Sequence, residues 1–426
     1  DFKFESFEIL DGKPELEGLP STYSDRDNVK TLIVYLIDKF EGIRVALYYS
    51  IFDDYNAIAR SVKVINTNDE KVYIERIMSA TVDLSNFHGD MIQLSGFWAR
   101  ERFYERTPLR QGVQEIFSRK GSSSHELNPL LVLADQKADE HHGDVYAMNF
   151  VYSGNFEGSV EYDSNQIARM SMGINDFDFR WSLLPGDSFQ SPEVICVYSD
   201  GGLEKMSHTF HGLYSNHLIR GKFKKELRPI LLNNWEATYF DFDEKKILDL
   251  AKEASDLGIE LFVLDDGWVG KRDSDNSSLG DWFVDERKLP SGLNSLAKNI
   301  NDMGMKFGLW FEPEMISPDS DLYRSHPDWC IGIPHRRNYQ ARSQYILDIT
   351  RPEVKQHVID SVSTILDSAN IEYVKWDYNR AFTDIYSSNL DRDDQKEFPH
   401  RYMLSLYEIL EFLTTKYEDV LFESCA

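Results

Sequence analysis

Cysteine is scarce. Cys196, Cys330 and Cys425 are the only three in 426 residues, an odd number at wide spacings. That excludes a disulfide scaffold and fits a reducing setting. Basic charge is also short, with 46 Lys and Arg against 72 Asp and Glu, a net of −26. Such a balance disfavours nucleic acid and anionic membranes as partners, because both attract cationic surfaces. No apolar run approaches ~18 residues, so no membrane-spanning helix is expected. Asp1 to Phe7 lack the basic-then-apolar order of a secretory leader, and a cytoplasmic location is the expectation. Glycine-rich phosphate loops and nucleophile-elbow serines are missing as well.

Apolar residues, by contrast, make up 42%, enough to bury a sizeable core and to exclude a largely disordered chain. At ~150 residues per domain the length suits two or three domains, or one large barrel with a companion. Aromatics reach 13%, with 8 Trp and 22 Tyr, which is compatible with sugar recognition. The chain opens at Asp1 without an initiator Met and stops at Ala426, inside a stretch (420–426) that reads as a buried strand. An open strand edge is a liability, so a longer protein is expected.

Two halves differ in period. Residues 1–202 read as β structure, with strands at 31–37, 43–49, 59–65 and 72–77 separated by turn clusters such as 66–69. Evenly spaced strands without helical patterns predict a sandwich of antiparallel sheets. Residues 203–225 read as a linker whose helix covers 203–219. From 226 to 426, strands and helices alternate. Three amphipathic stretches end at Gly258, Gly304 and Asn370, residues that tolerate a left-handed helix stop, and each precedes an apolar strand. Thr350 to Glu353 spells a capping box, and Val354, Val358, Val362, Ile365 and Leu366 form the stripe of the adjoining helix. Successive βα units predict a parallel sheet closing into a barrel, of which five strands are countable against an expected eight.

Acids close these strands: Glu236, Asp265 with Asp266, Glu312 with Glu314, Asp377, and Glu423. The C-terminal strand ends form the catalytic face of such barrels, so the set reads as functional. Lys375-Trp-Asp377-Tyr-Asn379 is the best single constellation. Alternation puts Lys375, Asp377 and Asn379 on one face, and an ammonium two residues away favours an ionised, nucleophilic Asp377. Asp265 and Asp266 suit neighbouring sugar hydroxyls. Asp273 to Ser277 opens like a calcium loop, but Ser278 replaces the turn glycine and no closing Glu comes after it, so no metal is expected there. His141 and His142 read as a solvated pair.

Asn233-Asn-Trp-Glu-Ala237, Leu264-Asp-Asp-Gly-Trp268, Gly280-Asp-Trp282, Trp310-Phe-Glu-Pro-Glu314, Arg342-Ser-Gln-Tyr345 and Lys375-Trp-Asp-Tyr-Asn379 together resemble the retaining α-galactosidases of glycoside hydrolase family 36. The resemblance implies an N-terminal β-supersandwich and a (β/α)8 TIM-type barrel, here truncated. It implies Asp377 as nucleophile, Asp265 and Asp266 on the galactose hydroxyls, and Lys375, Asn379, Arg342 and Trp310 lining the pocket. Cys425 would sit beside the sugar, and Trp98, in a sandwich loop, would reach over the barrel mouth. The acid/base Asp would come after Ala426, so residues 1–426 alone are not expected to turn over a normal substrate.

The same resemblance implies a cofactor-free, metal-free hydrolase of terminal non-reducing α-galactosyl residues in small galactosides of the melibiose or raffinose type. A homo-oligomer, a tetramer by resemblance, is the expected assembly. The alternatives are a related galactosyltransferase or α-N-acetylgalactosaminidase, a non-catalytic sugar-binding protein, or a metal-dependent barrel lyase or aldolase.

Overall fold

The computed structural model describes residues 1–24 and 28–425. The chain divides into two compact units, Asp1–Arg220 and Gly221–Ala426.

The first unit is built from antiparallel β structure. In its large sheet Lys3–Asp11, Val29–Asp38, Ile43–Phe52 and Ala57–Asn66 run in sequence, followed by Glu193–Ser199, Val145–Val151, Leu127–Asp135, Gly89–Phe97 and Arg100–Pro108. A smaller sheet orders Met78–Leu84, Ala168–Ile174, Phe156–Tyr162 and Gly112–Phe117. The strands expected at 31–37, 43–49 and 59–65 lie inside observed strands, but the fourth ends at Ile74 and pairing resumes at Met78. Helix α1 (Gly202–His217) is no linker. It buries Met206, Phe210 and Leu213 in the cluster formed by Val132, Val145, Ile195 and Val197, and so belongs to the first unit.

The second unit holds five parallel strands, ordered β1 (Leu231–Asn233), β2 (Leu261–Leu264), β3 (Lys306–Phe311), β4 (Tyr373–Asp377) and β5 (Leu421–Cys425). They curl as a half-barrel, with Leu261, Val263, Tyr373 and Leu421 packed together. The connecting helices are amphipathic. In α2 (Glu244–Asp256) the side chain of Asp243 accepts the Lys246 amide as an N-cap, and Ile247, Ala251 and Ala254 are buried. Next come α3 (Gly292–Asp302), α4 (Pro352–Ser368) and α5 (Phe398–Lys416).

Two sequence signals behave differently from expectation. Gly258 and Gly304 adopt φ of 84° and 87°, the left-handed stops their type permits, but Asn370 does not. Asn370 instead donates its side-chain amide to Asn301. The capping box does not form either. Buried Asp348 takes both the amide and the hydroxyl of Thr350, so Arg351 becomes the N-cap and Glu353 pairs with it.

Leu213 of α1 is fully buried in the cluster it shares with the large sheet. Replacing it with Ala should cost about 2–5 kcal/mol, seen as a lower urea midpoint for the first unit. An unchanged midpoint would mean that α1 contributes nothing to that core.

Candidate active site

The parallel register assembles the rim. Trp310 pairs with Lys375 across β3 and β4, and Asp377 pairs with Cys425 across β4 and β5. Side chains alternate along a strand, so Trp310 and Glu312 share a face, as do Lys375, Asp377 and Asn379. Trp376 points the other way and donates to Glu314 at 2.9 Å.

Asp377 is buried, with its carboxylate held by donors. Its Oδ2 accepts from Trp310 Nε1 at 3.0 Å and from Asn379 Nδ2, and its Oδ1 accepts the Tyr378 amide at 3.2 Å. Trp310 is itself fixed, because its carbonyl accepts from Trp268 Nε1 at 3.0 Å and its ring packs against Trp282. Half-buried Cys425 lies beside the carboxylate, and burial, then the Asp377 charge, pushes its thiol up to about 12.

Lys375 does not pair with Asp377 as the spacing suggested. Its ammonium donates to Asp265 Oδ2 at 2.9 Å, across to the end of β2. Burial works against that charge, yet the Asp265 carboxylate lifts the lysine above its ordinary value. Asn233, the last residue of β1, donates to the same Asp265 oxygen, and Asp265 Oδ1 accepts the Asp266 amide at 2.9 Å. Asp266 faces a different partner, Arg272. That guanidinium binds both carboxylate oxygens, Nε to Oδ1 at 2.5 Å and Nη2 to Oδ2 at 2.8 Å, and the pair is buried. Burial raises the Asp266 carboxyl above its ordinary range in spite of this partner.

Glu312 joins the cluster. Its Oε1 accepts from Gln344 Nε2 at 2.7 Å and from the Asn379 amide at 2.9 Å. Arg342 is exposed but reaches the same group, donating Nη1 to Asn379 Oδ1 at 3.1 Å. Other expected acids stay outside. Glu236 is exposed on the helical turn Trp235–Thr238 just after β1. Glu314 is buried behind the sheet between Trp376 and Tyr402, and Glu423 is exposed two residues below the end of β5. Asp273, read as the start of a rejected calcium loop, pairs with Arg287 and Lys288.

In the first unit, His141 pairs with Glu204 and His142 with Asp139, all exposed. Trp98 is 79% exposed at the tip of the hairpin joining Gly89–Phe97 to Arg100–Pro108. Ala99 next to it takes φ of 62°, and Arg100 lies over the rings of Phe97 and Phe103.

Sequence reading missed Arg272. It stands alone in a loop of Asp and Ser with no period or motif to mark it, and only the fold brings it to Asp266. Asn233 and Gln344 lay inside quoted motifs but carried no role.

Residues 188–426 match the Melibiase family, and residues 1–184 match the Glycosyl hydrolase family 36 N-terminal domain. The chain belongs to glycosyl hydrolase family 36. An α-galactosidase of Geobacillus stearothermophilus is 51% identical over 427 residues, covering 100% of this chain and 59% of that protein. One from Lactobacillus acidophilus is 46% identical and is covered over 58% of its length. Among solved structures, the Geobacillus enzyme in complex with raffinose superposes with a TM-score of 0.98 at 50% identity, covering all of this chain and 59% of that one. The Lactobacillus brevis α-galactosidase gives 0.98 at 46% identity, with 57% of its chain covered. This family 36 chain thus spans under three fifths of the length of these relatives.

Arg272→Ala would leave the Asp266 carboxylate buried without its cation. A stability loss of about 3–5 kcal/mol is expected in chemical denaturation. A loss below about 1 kcal/mol would show that water or another cation replaces the guanidinium.

Proposed function

We propose that the protein carrying this chain removes terminal non-reducing α-galactosyl residues from galactosides of the melibiose and raffinose type, by a retaining double displacement with Asp377 as nucleophile. The observation that supports this best is the Asp377 carboxylate, buried at the end of β4 with Trp310 and Asn379 donating to one oxygen. Its hydrogen-bond partners, Trp310, Asn379 and the Tyr378 amide, are all donors, which matches a carboxylate that accepts, and that is the form able to attack an anomeric carbon. Membership of family 36 supports the reaction class, and the raffinose and stachyose complexes of the Geobacillus enzyme support the oligosaccharide class.

In this reading the sugar lies over Asp377 with its hydroxyls on Asp265, which Lys375 and Asn233 orient, and on Asp266, which Arg272 clamps. Asp377 opens the glycosidic bond and forms a galactosyl ester; water then releases galactose with retained configuration. The leaving oxygen takes its proton from a second carboxyl. The resemblance assigns that group to an Asp beyond position 426, so turnover belongs to a chain that supplies it. Arg342 acts on the pocket through Asn379. Cys425 keeps the sugar-facing role the resemblance gives it, and a homo-oligomer in the cytoplasm remains part of the proposal. No helix among the described residues is long and apolar enough to cross a membrane.

In the longer protein, Asp377→Asn should lower kcat by about 10⁴-fold or more while raffinose binding stays within about tenfold. Proton NMR of the wild type should show α-galactose as the first anomer released. Turnover surviving in the Asn variant, or β-galactose appearing first, would refute the mechanism.

A further inference from the structure

Glu312 is a buried acid at the rim that the displacement does not use. It comes directly after Phe311, the last residue of β3, and its Oε1 accepts the Asn379 amide at 2.9 Å and Gln344 Nε2 at 2.7 Å. Asn379 in turn points its side chain at two partners. Nδ2 donates to Asp377 Oδ2, and Oδ1 accepts from Arg342 Nη1 at 3.1 Å. One hydrogen-bonded path therefore runs from Glu312, through the backbone and side chain of a single asparagine, to the carboxylate read as the nucleophile. A carboxamide rotates about its own bond unless both ends are held. Arg342 holds the oxygen end, and Glu312 anchors the main chain beneath.

We propose that Glu312 is a positioning residue for Asp377, holding it through Asn379 and facing it with its own charge. This rests on the reading of Asp377 as nucleophile. Charged and titratable groups face Glu312 from three places: Asp377 at the end of β4, Tyr378 directly after it, and Arg272 from the loop after β2. Burial, then the charge of Asp377, pushes the Glu312 carboxyl up to about 7, against the pull of the Asn379 and Gln344 donors and of Arg272. Its charge therefore changes near neutrality.

The consequence has a sign. Forming the galactosyl ester removes the negative charge of Asp377. When Glu312 is ionised, that step relieves like-charge repulsion; when Glu312 is protonated, there is none to relieve. Glu312 only gains or loses its proton, and no other bond changes at it. The first displacement, reported by kcat/KM, should therefore speed up as pH rises through the titration of Glu312, alongside whatever limb the general acid imposes.

The test uses the longer protein and p-nitrophenyl α-galactoside, with kcat/KM measured across about two pH units either side of neutrality. Wild type should show a rising component near neutrality. Glu312→Gln keeps an oxygen to accept the Asn379 amide but cannot ionise, so it should lack that component and lose about tenfold in kcat/KM on its alkaline side. Gln344→Leu removes a donor that favours the ionised form and should move the component to higher pH, a readout that survives if the Gln variant fails to fold. A wild-type profile in Glu312→Gln, or an unmoved or acid-shifted component in Gln344→Leu, would overturn the role proposed for the Glu312 charge at Asp377. Asp377→Asn is measured alongside: if it keeps wild-type turnover, it is the nucleophile assignment that fails.

Discussion

One hydrogen bond across two strands, from the indole of Trp310 to the carboxylate of Asp377, ties the rim together. It exists because β3 and β4 pair in a register that sets Trp310 opposite Lys375. A slip of β4 by one residue would turn only its own side chains over and send the indole and the carboxylate to opposite sides of the sheet. The core of the half-barrel fixes that register, with Leu261, Val263 and Tyr373 packed at its centre. Site geometry is thus inherited from ordinary apolar packing several residues below the chemistry.

Charge is distributed around the rim with the same economy. Four acids come close together in a buried setting that penalises every uncompensated anion. Two are matched one to one, Asp265 by Lys375 and Asp266 by Arg272. Asp377 and Glu312 receive neutral donors instead, from an indole, two side-chain amides and backbone N–H groups. Cations thus hold the acids expected to grip hydroxyls, while dipoles hold the acid expected to form a bond. A fixed ion pair at the nucleophile would stabilise the charge that the reaction must remove; dipoles orient it at lower cost.

Much of the fold was legible in the sequence. Strands with a period of two and helices with an apolar stripe announced a β-rich half and a parallel α/β half, and Asp377 with its alternating neighbours was read directly from Lys375 to Asn379. Expectation failed where a distant partner overrode a local signal. Lys375 lies two residues from Asp377 on the same strand, yet its flexible stem carries the ammonium to Asp265, which belongs to the end of β2. The capping box at Thr350 lost to buried Asp348, and Asn370 found a side-chain partner instead of a left-handed turn. Glu236 looked like a strand-end acid because no local signal shows that β1 stops at Asn233 and turns into a helix. Arg272 was invisible for a related reason: a lone arginine in a polar loop reads as solvated until the fold buries it.

A covalent bond to the sugar at the Asp377 carboxylate is the central claim, and the most direct measurement is peptide mapping of the longer protein trapped with a fluorinated galactosyl donor. The predicted result is one sugar per chain, esterified to the peptide that contains residues 373–377, at Asp377. A sugar found on Asp265, Asp266 or Glu312, or no covalent adduct under conditions of turnover, would contradict it.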